Sequence, residues 1–147
     1  MPNEKVYFRN PYSFRAIKTT SQVLATGAIP ILFEDDVTSP YHDNNNNFYT
    51  TDYIVPIAGI KQRFILEQIS LTAAGFVNNI DIIIKLNGST TIIQYPPFTL
   101  SSTSIVIPNV YTGYQTWAAG DRISVTIGHT SGALTLNPGT IFSNSFE

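Results

Sequence analysis

Apolar residues recur along this chain at every second position in short runs, and turn-forming residues interrupt them every 8–12 residues. Ile82, Ile84 and Leu86 alternate with Asp81, Ile83 and Lys85, and Asn87-Gly88 then turns the chain into Thr90–Tyr95, the signature of a tight hairpin. Ile123, Val125 and Ile127 alternate with Arg122, Ser124 and Thr126, a strand with one buried face. The same reading predicts strands over Phe14–Thr19, Gln22–Leu24, Ile29–Phe33, Phe48–Ile54, Ile105–Ile107, Ala133–Leu136 and Thr140–Phe146. Glu34-Asp35-Asp36 and Asp43–Asn47, with its four consecutive Asn, read as loops. Ile60–Leu71 fits two patterns. Ile60, Phe64 and Leu71 could mark a helix face, and Phe64, Leu66 and Gln68 one face of a strand; composition and neighbours favour the strand. The sum is about ten strands, the spacing of an all-β sandwich or barrel.

Composition agrees. Nineteen Ile and seventeen Thr stand against nine Ala and four Glu, so strand formers dominate. At 147 residues the chain suits one domain with a full core. Only 12% of residues are charged, about half the usual share for a soluble chain. Ser, Thr, Asn and Tyr take their place, giving a wettable but weakly repulsive surface suited to packing against copies of itself or another protein. Cysteine is absent, which excludes disulfides, thiolate metal sites and cysteine nucleophiles. No apolar run resembles a secretory leader or is long enough to span a bilayer.

Charge separates along the chain. Residues 1–18 carry Lys5, Arg9, Arg15 and Lys18 against Glu4, whereas the remainder has nine carboxylates against four basic residues. Residues 1–11 are expected to form an extended arm. In it Val6, Tyr7, Phe8 and Arg9 would anchor the protein on an acidic surface. Residues 12–147 form the domain.

The ordered motifs resemble the C1q and tumour-necrosis-factor superfamily. Phe14-Arg15-Ala16 resembles its opening strand, and Pro30–Glu34 the next, with an apolar-Phe-acid ending. Asn47-Phe48-Tyr49-Thr50 through Val55-Pro56-Ile57-Ala58-Gly59-Ile60 is similar to its Asn-x-Phe…Val-Pro-x-x-Gly signature. Gly120–Val125 resembles a Gly-Asp-x-Val-x-Val strand, and Leu134 and Phe142 match its closing pattern. Ile60 and Lys61 depart from the usual Tyr-x-Phe, and no collagen-like stalk is present. The resemblance implies a ten-stranded jelly roll that forms a homotrimer, an apolar sheet face packed around the three-fold axis. Eight Tyr, nine Phe and one Trp, more than such a sandwich needs inside, suit a buried interface.

Catalytic chemistry is not apparent. His42 and His129 are far apart, with no metal-binding helix, nucleophile elbow or phosphate loop. His42-Asp43 reads as a solvated loop pair and Asn87-Gly88-Ser89 as a turn, not a glycosylation site. No cofactor or metal is expected; the oxygen-rich loops 34–36 and 43–47 leave calcium as the one candidate, without EF-hand spacing. Eight basic residues and a net charge of -2 argue against nucleic acid. The expected function is non-enzymatic: a trimeric capsid decoration, head fibre or spike module in the virion of a bacteriophage or other DNA virus, held to other virion proteins by the arm. The alternative is a carbohydrate- or receptor-binding module of a bacterial or spore surface. In that reading Tyr111, Tyr114 and Trp117, close together around Gly113, could stack on a sugar or instead pack between strands.

Overall fold

The computed structural model describes residues 11–147, so the expected anchor Val6, Tyr7, Phe8 and Arg9 lies outside the described residues. Strands come first as β1 (Phe14–Ile17), β2 (Gln22–Leu24), β3 (Gly27–Pro30), β4 (His42–Asp43), β5 (Phe48–Tyr49), β6 (Asp52–Ile54) and β7 (Lys61–Ala73). They continue as β8 (Phe76–Leu86), β9 (Thr90–Ser101), β10 (Ser104–Tyr111), β11 (Gln115–Thr116), β12 (Arg122–His129), β13 (Leu134–Leu136) and β14 (Ile141–Phe146). No helix occurs among the described residues. Fourteen strands replace the expected ten or so for local reasons. Thr50, at φ 54°, turns the expected Phe48–Ile54 strand into the hairpin β5–β6. The two-residue strands β4 and β11 are loop segments that touch a sheet briefly.

The strands make two sheets, all pairs antiparallel, packed face to face. The larger runs β2-β13-β7-β14-β1-β4, with β10 and β11 on the other edge of β7. The smaller runs β5-β6-β12-β8-β9, with β3 also on β12. This is the expected jelly-roll sandwich. Apolar side chains of both inner faces form one core from Phe14 and Ala16 through Ile127 and Phe142.

At the centre of that core the Phe14 ring stacks on Phe48 at 5.1 Å and on Tyr53 at 4.7 Å, and meets the edge of Phe142 at 5.2 Å. Phe64 and Trp117 extend the cluster along β7. Burial, then the charge of Asp43, pushes the Tyr53 hydroxyl well above its ordinary value; it donates to the Tyr12 carbonyl at 2.8 Å.

The ambiguous segment Ile60–Leu71 lies within the strand β7, and its mixed periodicity has a structural cause. Leu66 and Ile69 both face the core, three residues apart, because Gln68 sits at φ 56° between them. Across the ladder Val110 and Ile107 make the same three-residue step around Pro108, which has no N–H to pair. Both strands change face together. A second irregularity lies between β8 and β9, where Pro96 and Pro97 stand opposite Asp81 alone. Strand β9 pairs with β8 and is the outer strand of its sheet.

One ion pair joins a buried lysine to an exposed carboxylate. Lys18, 1% exposed, donates to the Leu32 carbonyl at 3.0 Å and to Glu34 at 3.3 Å. The same Glu34 oxygen accepts from the Thr20 hydroxyl and amide. Burial alone would raise the Glu34 carboxyl, but the Thr20 hydrogen bonds and the Lys18 charge outweigh it and hold it below its ordinary 4.5. A carboxylate lowered in the folded state stabilises the protein above its unfolded value and loses that contribution on acidification. Because Glu34 is itself exposed and Lys18 keeps the Leu32 carbonyl, Glu34→Gln is expected to cost no more than about 1 kcal/mol in urea unfolding at pH 7. The difference from the parent should shrink as the pH falls below 4.5.

Candidate interaction surface

Directly paired residues in a sheet point to the same side, so the register of the larger sheet defines its outward face. One row runs Ile17, Ile141, Glu67, Asn109; the next runs Arg15, Ser143, Ile65, Tyr111; a third pairs Ser145 with Arg63. Beyond the Gln68–Pro108 step the face continues with Ser70 beside Val106, and with Thr72 between Thr135 and Ser104. Here Asn137 donates to Ser70 and Thr72, and Thr72 shares a 2.9 Å hydrogen bond with Ser104. One half is thus a hydroxyl network and the other mixes Ile, Tyr and Arg.

The outward face of the smaller sheet differs. Its rows are Asp52-Ser124-Lys85 and Pro30-Thr126-Ile83-Gln94, mostly polar residues, of which Ser124, Thr126 and Ile83 are buried, so that β12 is buried on both faces and not on one as its alternation implied.

Arg63 organises the apolar half of the larger face. Its guanidinium carbon lies 5.3 Å from the Tyr111 ring centre and 4.9 Å from that of Tyr114, whose hydroxyl is 3.2 Å from Ser145 Oγ. Each cation–ring contact contributes about 0.5–1 kcal/mol at a partly exposed site. The Nε atoms of Arg63 and Arg15 are sealed from solvent with no acceptor among the described residues. Glu67, on the same strand and the same face, is about 13 Å from Arg63 at the rise of a strand, too far for an ion pair. Beside them Arg63, Ile65, Glu67, Pro108, Asn109 and Tyr111 line a hollow of about 360 Å³. Val106 and Tyr111, 64% and 52% exposed, stand out from this face.

The structure separates the three residues read as a sugar platform. Trp117 is only 6% exposed, packs edge-on against Phe64 at 5.4 Å and donates its indole N–H to the Gln62 carbonyl. It belongs to the core, the packing alternative. Tyr111 and Tyr114 face outward but are joined through Arg63, a residue that sequence reasoning missed. Only strand register, invisible without the fold, brings Arg63 to Tyr111.

The acidic loops serve their own backbone. Asp35 accepts from the Val37 and Thr38 amides, and Asp43 from those of Asn47 and Phe48. Burial, then the charge of Asp43, raises the Asp36 carboxyl. Among the described residues no group of three or more His, Asp or Glu is placed to hold a metal. His42 bonds Ser13 at 2.6 Å rather than Asp43, and buried His129 lies 2.8 Å from the Leu24 carbonyl. The Asn87 side chain accepts from the Arg122 amide and donates to Asp121, so it is used in holding its turn.

No protein-family model and no curated protein matches the chain. Among solved structures it is similar to the globular domain of zebrafish complement 1qA protein, at 15% identity and a TM-score of 0.62 over 92% of this chain and 96% of that one. It is also similar to Eiger TNF from S. frugiperda, at 15% identity and a TM-score of 0.47 over 92% and 93% of the two chains. The likeness to the complement domain makes the fold a C1q-like jelly roll, as the sequence motifs implied.

Substitution separates the core aromatic from the surface ones. Trp117→Ala should cost about 3–5 kcal/mol in denaturant unfolding, whereas Tyr111→Ala should stay within about 1 kcal/mol of the parent, the worth of its cation–ring contact.

Proposed function

We propose that this chain is a non-enzymatic structural module that works as a homotrimer, with the outward face of the larger sheet packed around the three-fold axis. The observation behind this reading is the contrast between the two outward faces. One is mostly polar, and the other presents Ile65, Tyr111 and Tyr114 around an arginine whose Nε has no acceptor among the described residues, with exposed Val106 further along the same face. A buried donor without a partner costs about 1–3 kcal/mol, so an acceptor and an apolar cover supplied by another copy would both stabilise the face. A cyclic trimer needs a heterologous contact that closes, and the hollow beside Tyr111 would receive side chains of the next copy.

The setting that fits best is a virion, where the trimer decorates a capsid or forms the knob of a fibre or spike. The arm residues Val6, Tyr7, Phe8 and Arg9 would join it to other virion proteins. Sparse charge supports a closely packed assembly, and the basic, aromatic composition of residues 5–9 suits docking on an acidic partner. A sugar- or receptor-binding surface module is the second reading, favoured by the outward placement of Tyr111 and Tyr114.

Light scattering on the purified chain tests the assembly. Three chain masses of 16.2 kDa each are expected, unchanged when residues 1–11 are removed. Arg63→Glu combined with Val106→Asp should give folded monomers. A parent chain that is monomeric overturns the trimer. A monomer that also binds glycans through Tyr111 would put the surface-module reading in its place.

A further inference from the structure

A second hollow, of about 450 Å³, opens at the other side of the larger sheet, beside the edge strand β4. It lies three strands across from β7, about 14 Å at the spacing of a sheet. Val37, Pro40 and Tyr41 give it apolar lining, and Ser13, His42 and Asn44 give it hydroxyl, imidazole and amide groups.

The hydrogen bonds within it define what it offers a ligand. His42 Nδ1 lies 3.4 Å from the Pro40 carbonyl, which can only accept, and Nε2 lies 2.6 Å from Ser13 Oγ. The assignment that suits both contacts puts the proton on Nδ1, so that Nε2 accepts from the Ser13 hydroxyl. Ser13 Oγ then keeps lone pairs with which to accept from a ligand.

Among the described residues no Asp, Glu, Lys or Arg side chain lines the hollow. The Arg15 guanidinium is stacked 5.8 Å from the Tyr41 ring centre, and the Asp43 carboxylate is used by the amides of Asn47 and Phe48. An ionic ligand would find no counter-charge in the lining. An aliphatic ligand would leave its polar groups unpaired, at a cost. The ligand that suits it is uncharged, rich in hydroxyls and apolar on one side. A pyranose ring has that character: a C–H face that packs on an aromatic ring and a rim of hydroxyls. The volume lies in the range of about 300–1,000 Å³ typical of small-ligand pockets.

We propose that the hollow formed by Ser13, Val37, Pro40, Tyr41, His42 and Asn44 binds a neutral sugar residue, a hexose or N-acetylhexosamine. The site is separate from the face assigned to assembly and stands whether the chain is a trimer or a monomer.

Saturation-transfer NMR on the full chain, with glucose, galactose, mannose and N-acetylglucosamine at millimolar concentration, tests it, alongside an array of neutral and sialylated glycans. At least one neutral sugar should receive saturation, and neutral glycan ends should be preferred to sialylated ones. Tyr41→Ala should weaken binding by about two- to tenfold, the scale of one lost ring contact, while Tyr111→Ala leaves it unchanged. Val37→Asp, at a site 80% exposed, should also weaken it and guards against a fold defect in Tyr41→Ala. Circular dichroism and light scattering verify fold and mass in each variant. The proposal is overturned if no neutral sugar receives saturation, or if sialylated ends are preferred. Binding that survives Val37→Asp and a folded Tyr41→Ala, or that is lost in Tyr111→Ala, overturns it equally.

Discussion

Both sheets are held by one aromatic cluster. Phe14, Phe64 and Phe142 enter it from the larger sheet and Phe48 and Tyr53 from the smaller, with the Phe14 ring against its neighbours at 4.7–5.2 Å. These side chains come from five strands spread between residues 14 and 142, so the contact joins the chain's beginning to its end. Stacked and edge-on geometries each add about 0.5–1.5 kcal/mol beyond area burial. The cluster also orients β1 against β14, and that register places Arg15 and Ile17 on the outward face. Surface and core are in this sense one constraint.

Charge is used sparingly and locally. Among the described residues buried Lys18 is tied to the Leu32 carbonyl and to exposed Glu34, whereas Lys61–Glu147 and Arg122–Asp52 pair on exposed basic side chains. Exposed pairs of that kind contribute about 0–1 kcal/mol. Arg63 is handled differently, by aromatic rings instead of a carboxylate. A guanidinium covered on its faces keeps its donors in one plane, which favours a partner arriving at its edge. The two hollows divide by the same criterion, one holding Arg63 and Glu67 and the other no Asp, Glu, Lys or Arg among the described residues.

Much of the fold was legible in the sequence, because the apolar residues alternating at 82, 84 and 86 and at 123, 125 and 127 and the Asn87-Gly88 turn are local signals, although β12 is buried on both faces. What escaped was non-local. The face change at Gln68 depends on Pro108, forty residues on, and it blurs the period of β7 into something close to a helix. Asn78-Asn79 and Pro96-Pro97 look like strand ends, yet β8 and β9 run through both by bulging. For the site, the tyrosines at 111 and 114 were readable as candidates but Trp117 was not separable from them, since burial at that spacing depends on Phe64 and Gln62. The hollow beside β4 gathers Ser13 with residues 37–44, a grouping set by pairing between β1 and β4.

Pro96 and Pro97, in the outer strand of the smaller sheet, bear on life in a crowd. An outer strand is a template on which a stranger's strand could grow, and dense arrays of one sequence present that template at high local concentration. Two adjacent residues without N–H groups leave a gap in the row of donors, and the bulge beside them bends the strand from a straight template. Lateral growth into fibres is discouraged where many copies are kept together, and association is left to faces rather than edges.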